Sequence, residues 1–107
     1  MVAPAIEKVV RDYLRAATSL GIPARRAMLF RSQARGDTHE WSDIDLIILS
    51  PALEPPRSNE IVKKLWRLCP QTDARIEPIP CGEIEWQTDN SRVVLEIARQ
   101  EGVVIEV

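Results

Sequence analysis

Apolar residues fall in helical register through the first segment. Ile6, Val9, Val10, Tyr13, Leu14 and Ala17 recur at the spacing of one helix face, with Lys8, Arg11, Asp12 and Arg15 on the other. Pro4 suits the first turn of that helix, and Gly21 followed by Pro23 stops it. From Arg25 to Phe30 the pattern predicts a short strand with a charged start, and from Ser32 to Trp41 a polar, turn-prone stretch around Gly36-Asp37. The segment from Asp43 to Leu49 is apolar on both faces once its two aspartates are set aside, which predicts a central strand.

The run Pro51-Ala-Leu-Glu-Pro-Pro56 forces a loop, because proline continues neither a helix nor a ladder. Ser58 can cap a second helix with Ile61, Val62, Leu65 and Leu68 or Cys69 on its apolar side, ended by Pro70. Ala74 to Ile79 predicts a third strand, which Pro78 confines to an edge or a strand end. After a turn at Cys81-Gly82, Asp89 or Asn90 caps a last helix whose stripe is Val93, Val94, Ile97 and Ala98. Gly102 closes that helix, and Val103 to Ile105 form a final strand or extended tail. The expected architecture is therefore α/β (α+β): a small mixed sheet of about three to four strands flanked by three to four helices. Residues 1–107 read as one domain, without repeats or low-complexity tracts.

Composition narrows the class. A mass of 12.1 kDa predicts a folded surface of about 6,000 Å², roughly 65% of the extended chain being buried, enough for one thin core. Fourteen basic residues against 16 acidic ones give a net charge of −2, so no extended surface for duplex nucleic acid is expected. Arginines supply 11 of the 14 cations, which favours fixed carboxylate or phosphate partners. The N-terminal Met1-Val-Ala-Pro-Ala-Ile-Glu7-Lys8 carries charges where a secretory signal would be apolar, and no apolar run approaches a membrane span. A cytoplasmic protein with no membrane association is expected. Cys69 and Cys81 lack metal-ligand spacing and there is a single His, so the thiols are read as buried and a zinc site is excluded.

The chemistry concentrates around Ser32, Asp43 and Asp45. Residues two apart on a strand leave the same face about 7 Å from one another, so Asp43 and Asp45 can share a cation, and their mutual repulsion calls for one. Hard oxygen donors on a rigid strand suit Mg²⁺. Asp73, Arg75 and Glu77 alternate along the third strand; Glu77, the deeper acid, is the candidate to complete a three-carboxylate site able to hold two Mg²⁺ ions. An ion-paired surface strand around Arg75 is the competing reading. Ser32 follows the first strand and opens a turn where backbone N–H groups can meet phosphate.

Ser32, ten intervening residues, then Asp43-x-Asp45 at a strand start resembles the Gly-Ser-x10-Asp-x-Asp signature of the DNA polymerase β-like nucleotidyltransferase superfamily. Ser32-Gln-Ala-Arg-Gly36 followed by Ser42-Asp-Ile-Asp-Leu46 is similar to the minimal nucleotidyltransferase (MNT) proteins. Arg75-Ile-Glu77-Pro-Ile-Pro80 resembles the family's third-carboxylate strand, and the likeness runs to Ile97-Ala-Arg-Gln-Glu-Gly-Val103. One position departs from the pattern: Arg31 stands where the family has Gly.

The resemblance implies a Mg²⁺-dependent nucleotidyltransferase that binds ATP or another NTP with its triphosphate over the Ser32 turn. Asp43, Asp45 and Glu77 would be both metal ligands and catalytic carboxylates, and Ser32, Arg31 and Arg35 would meet the nucleotide. It also implies a partner, because the chain has no room for a second-substrate domain. MNT proteins of this kind act as antitoxins paired with a small helical HEPN protein whose Tyr accepts AMP. The alternative is a catalytically impaired MNT-fold subunit that neutralises its partner by contact, with Arg31 filling the pocket; self-association is left open. Arg35 as a salt-bridge residue and a metal-dependent nuclease are the remaining competing readings. His39 reads as an exposed loop residue, Trp41 and Trp66 as packing residues, and Trp86 as an anchor before the last helix.

Overall fold

The computed structural model describes residues 2–35 and 42–107, apart from the side chains of Ser32 and Arg35. The expectations for His39 and Trp41 lie outside the described residues. Helix α1 (Pro4–Ser19) leads through Gly21 to strand β1 (Arg26–Phe30), and the one-turn helix α2 (Ser32–Arg35) follows. Strand β2 (Ile44–Leu49) runs into a 3-10 turn (Pro51–Leu53), then helix α3 (Asn59–Thr72) and strand β3 (Ile76–Cys81). Helices α4 (Glu83–Thr88) and α5 (Val93–Glu101) precede strand β4 (Val103–Glu106). The mixed α+β class is as expected.

The sheet has the order β3-β2-β1-β4. β1 is antiparallel to both β2 and β4, while β2 and β3 run parallel. All six residues of β2 are buried, the condition of a central strand covered on both faces. β3 lies at an edge, where the missing N–H groups of Pro78 and Pro80 interrupt no inner ladder.

Alternation along the strands separates two cores. Ala27, Leu29, Ile44, Leu46, Ile48, Ile76 and Ile105 face the apolar stripes of α1 and α3. Phe30, Ile47, Leu49 and Cys81 face Leu95 and Ala98 of α5, with Met28, Ile79, Trp86, Val94 and Ile97 around them. Each fully buried Leu or Ile contributes about 1.5–3 kcal/mol of desolvation. The buried Tyr13 hydroxyl donates to the Leu65 carbonyl at 2.7 Å, which ties α1 to α3.

Several local expectations are corrected. α3 does not stop at Pro70 but continues to Thr72. Pro70 lies in the last turn, so its missing N–H orphans only the carbonyl of Trp66, four residues back on the solvent side. Trp66 is 50% exposed and is not a packing residue. The connection after Cys81 contains helix α4, whose first amides are capped from a distance: Ile84 N donates to Glu54 Oε2 at 2.7 Å and Glu85 N to Glu54 Oε1 at 3.1 Å. A Cβ at Gly82 would come within 2.7 Å of the Glu54 backbone, so the close approach requires glycine. Asp89 accepts from the amides of Ser91 and Arg92 and organises the turn before α5, which begins only at Val93. Val93, expected on the apolar stripe, is exposed, and Leu95, which the stripe did not include, is buried in its stead. Both cysteines are free and buried, as expected.

Candidate active site

The register places Phe30, Asp45 and Glu77 in one row across β1, β2 and β3. Neighbouring strands lie about 4.8 Å apart, so the Asp45 and Glu77 side chains rise side by side from the face that α5 covers. Asp43 stands two residues before Asp45, just ahead of β2, and is near enough for its charge to act on Glu77. Ile44 N donates to Arg75 O at 2.9 Å, which extends the parallel pairing to this end of the sheet. Asp45 is buried, whereas Asp43 and Glu77 are exposed.

The carboxylates influence one another. The Glu77 carboxyl is held above its ordinary value, first by its hydrogen bond to Asp45, then by burial, then by the charges of Asp43 and Asp45; Arg31 pulls it the other way. The cluster is thus short of positive charge. Asp73, the other acid considered for this strand, is elsewhere: it ends α3, and Arg75 grips it through Nε at 3.0 Å and Nη2 at 2.7 Å. The expected face of Asp73, Arg75 and Glu77 is therefore corrected, since β3 starts only at Ile76 and the Asp73–Arg75 pair closes on itself.

Arg31 sits at the turn out of β1 with φ 62°, the left-handed region that glycine enters without a Cβ penalty. This bend throws the chain into α2, and Ala34 N donates to Arg31 O at 3.1 Å. The Arg31 guanidinium lies 3.6 Å from Asp45 Oδ1 and packs over the Phe30 ring at 5.2 Å from its centroid. Its side chain is 49% exposed against 10% for Asp45. The backbones of Ser32 and Arg35 form α2 beside this bend, and their side chains are outside the described part of the structure.

Two supporting residues were missed in the sequence. Gln33, buried on α2, donates through Nε2 to the carbonyls of Asp43 at 3.3 Å and Ser42 at 3.4 Å, tying α2 to the start of β2. Glu101 at the end of α5 accepts from Arg31 N at 3.1 Å. Their signal in the sequence is weak, because neither belongs to an acid pattern and each acts on backbone brought close by folding.

Among the described residues, no three His, Cys, Asp or Glu side chains form a ready metal cage. The chemistry of the donors is nevertheless that of a hard-cation site: Asp45 and Glu77 present carboxylate oxygens side by side, and Asp43 is near enough for its charge to act on Glu77. A separate cleft of about 330 Å³ at α4 is lined by Glu54, Pro55, Ile84, Glu85, Thr88 and Asp89. Its one buried acid, Glu85, is already saturated by Arg57 at 2.6 Å, Arg92 at 2.9 Å and Gly82 N at 3.0 Å, so the cleft offers no comparable chemistry.

Comparison with known proteins bears on the fold and on the family. A toxin–antitoxin crystal structure with AMP-PNP superposes with a TM-score of 0.63 at 21% identity, covering 92% of this chain and 71% of that one. A proposed nucleotidyltransferase from Sulfolobus solfataricus superposes with a TM-score of 0.60 at 18% identity, covering 92% and 77%. At these identities the likeness concerns the fold. No curated protein sequence matches the chain. No helix among the described residues is long and apolar enough to cross a membrane. The sequence itself matches the nucleotidyltransferase domain family over residues 10–100, a span that holds the acid row, the Arg31 bend and α2, and the chain belongs to that family.

Proposed function

We propose that this protein is a Mg²⁺-dependent nucleotidyltransferase that moves AMP from ATP onto a hydroxyl of a partner protein, as the antitoxin of a HEPN/MNT pair. The observation that carries the reading is the pairing of Asp45 with Glu77 across β2 and β3, with the charge of Asp43 acting on Glu77, beside the Arg31 bend. The likeness to a toxin–antitoxin structure with AMP-PNP supports both a nucleotide and a protein partner.

Asp43, Asp45 and Glu77 would hold one or two Mg²⁺ ions, which when bound polarise phosphate oxygens and acidify a nearby hydroxyl. The chain's own groups do the rest. The turn at Ser32 receives the triphosphate, and Arg31 and Arg35 balance its charge. A carboxylate of the cluster takes the proton of the acceptor hydroxyl. The acceptor oxygen then bonds to the α-phosphorus, the bond to the bridging oxygen breaks, and pyrophosphate leaves. Gln33 and Glu101 keep the two backbone segments in register while this happens.

The test is incubation with α-labelled ATP, Mg²⁺ and the product of the adjacent reading frame. Label is expected on that partner and is expected to vanish with Asp43→Asn. The second reading, a contact-only subunit with lost activity, is favoured by the Arg31–Asp45 ion pair, which places a protein cation on an acid needed for metal. A tight complex that never takes up label, and is indifferent to Asp43→Asn, would select that second reading.

A further inference from the structure

We infer that the outer edge of β4 is a self-pairing surface: two copies of this chain join antiparallel through it, about a two-fold axis at Ile105, so that the four-stranded sheet continues across a weak dimer. The inference stands independently of the proposed activity.

The two edges of the sheet are built differently. Ile44 N donates to Arg75 O and Ser50 N to Cys81 O, so on β3 the residues paired toward β2 alternate with Ile76, Pro78 and Pro80, whose backbone groups turn outward. The two prolines have no N–H, and this edge offers little to a further strand. On β4, Val107 N donates to Arg25 O at 2.8 Å, which sets Val103, Ile105 and Val107 toward β1 and turns the backbone of Val104 and Glu106 outward. Arg11 Nε, reaching Glu106 O at 3.1 Å from α1, agrees with that orientation. The N–H groups of Val104 and Glu106 and the Val104 carbonyl have no partner among the described residues. Val103, Val104 and Val107 are exposed as well. Bare β-branched side chains on both faces of an open edge are what monomeric proteins blunt with charge or proline, as this one does on β3.

The outward groups fit a second copy in one register. With the axis at Ile105, Val104 N–H meets Glu106 O of the second copy and Glu106 N–H meets its Val104 O, each bond occurring twice by symmetry. Val103 then lies against Val107 of the second copy on the face of Ile105 and α1, and Val104 lies against its Glu106 on the face of α5. An axis at Glu106 would set that carboxylate against itself. An axis at Val104 would call on Gly102 N, which already donates to Ala98 O at 2.7 Å. Arg11 occupies one lone pair of the Glu106 carbonyl and leaves the other to accept. So short a strand covers less than the roughly 1,200 Å² of a stable complex, which makes the association weak.

Sedimentation equilibrium of the full chain from about 5 to 500 µM should show a reversible monomer–dimer transition in the upper part of that range. Val104→Glu sets like charges opposite one another across the axis and should raise the dissociation constant by about tenfold. Val104→Lys, opposite Glu106 of the second copy, should associate as tightly as wild type, or a few-fold more tightly in low salt. Trp66→Ser, which removes an exposed aromatic side chain elsewhere, should change nothing. In hydrogen exchange the Val104 and Glu106 amides should be protected at the highest concentration and open at the lowest, while those of Val103 and Ile105 stay protected at both. A chain that sediments as a monomer throughout overturns the inference and leaves the edge to a strand of some other protein. Association that Val104→Lys weakens as much as Val104→Glu, or that Trp66→Ser weakens instead, overturns it too. So does exchange at Val104 and Glu106 that ignores concentration.

Discussion

Asp45 and Glu77 stand opposite one another on adjacent parallel strands, and the Glu77 carboxyl hydrogen-bonds Asp45. Two acids paired across a ladder are unfavourable for the sheet, since like charges directly opposite repel. The protein retains them at the edge of β3, beside Asp43 and Arg31, where their repulsion can be offset by a bound cation.

Glu77→Gln should separate stability from function. The amide keeps a hydrogen bond to Asp45 and removes a like charge, so thermal stability should hold or rise by less than about 1 kcal/mol, solvent screening most of the repulsion at this exposed edge. Nucleotidyl transfer should fall by about a hundredfold or more. A variant that melts early and transfers normally would make Glu77 structural.

Glu85 is a stability residue, in contrast to the acid row. It is buried between Arg57 and Arg92 and also accepts from Gly82 N. Glu85→Ala leaves two half-buried guanidiniums without their anion and should cost about 3 kcal/mol, read from the urea midpoint. Glu85→Gln, which keeps part of the hydrogen bonding, should cost less. A loss within experimental error would mean the arginines find water instead.

Acid stability should follow the same network. Burial raises the Glu85 carboxyl, but the Gly82 amide and the Arg57 and Arg92 guanidiniums outweigh it and hold it below its ordinary 4.5. Its hydrogen bond with Arg75 holds Asp73 below its ordinary 3.8. Both folded values are depressed, so the stability they contribute is complete above the unfolded values and is lost as pH falls through the folded ones. Urea midpoints should therefore drop below about pH 4, and drop less in Glu85→Gln than in the wild type.

The thiols should be inert in the native protein. Burial, and then the Glu85 charge, push Cys81 up to about 12, and burial also raises Cys69. The two sulfurs belong to cores on opposite faces of the sheet, which precludes a disulfide between them. An aromatic disulfide reagent at pH 8 should titrate almost no thiol natively and two per chain in denaturant. Rapid native labelling would place at least one of them at the surface.

Tyr13→Phe tests the joint between α1 and α3. It removes the donor to the Leu65 carbonyl while keeping the ring in its cavity, and should cost about 1–1.5 kcal/mol in a urea melt.

The sequence alone determined the long helices, the inner strand and the acid pattern. Each is a local periodic signal: three to four residues for α1 and α3, two for Asp43 and Asp45, and for β2 a run that is apolar apart from Asp45. Pro78 marked an edge because proline cannot donate to a ladder on both sides. Only the tertiary structure decided which acids meet. Parallel pairing of β2 with β3 brought Glu77 opposite Asp45, while Asp73 folded back onto Arg75. Helix α4 was invisible in sequence because its cap, Glu54, comes from a loop before α3. The left-handed bend at Arg31 was likewise hidden, since a residue other than glycine enters that region only where surrounding contacts hold it there; here those contacts are Glu101, Asp45 and Phe30. Periodicity is a property of neighbours along the chain. The site is a property of neighbours across the sheet, and those are set by the register in which three strands and α5 close over one face.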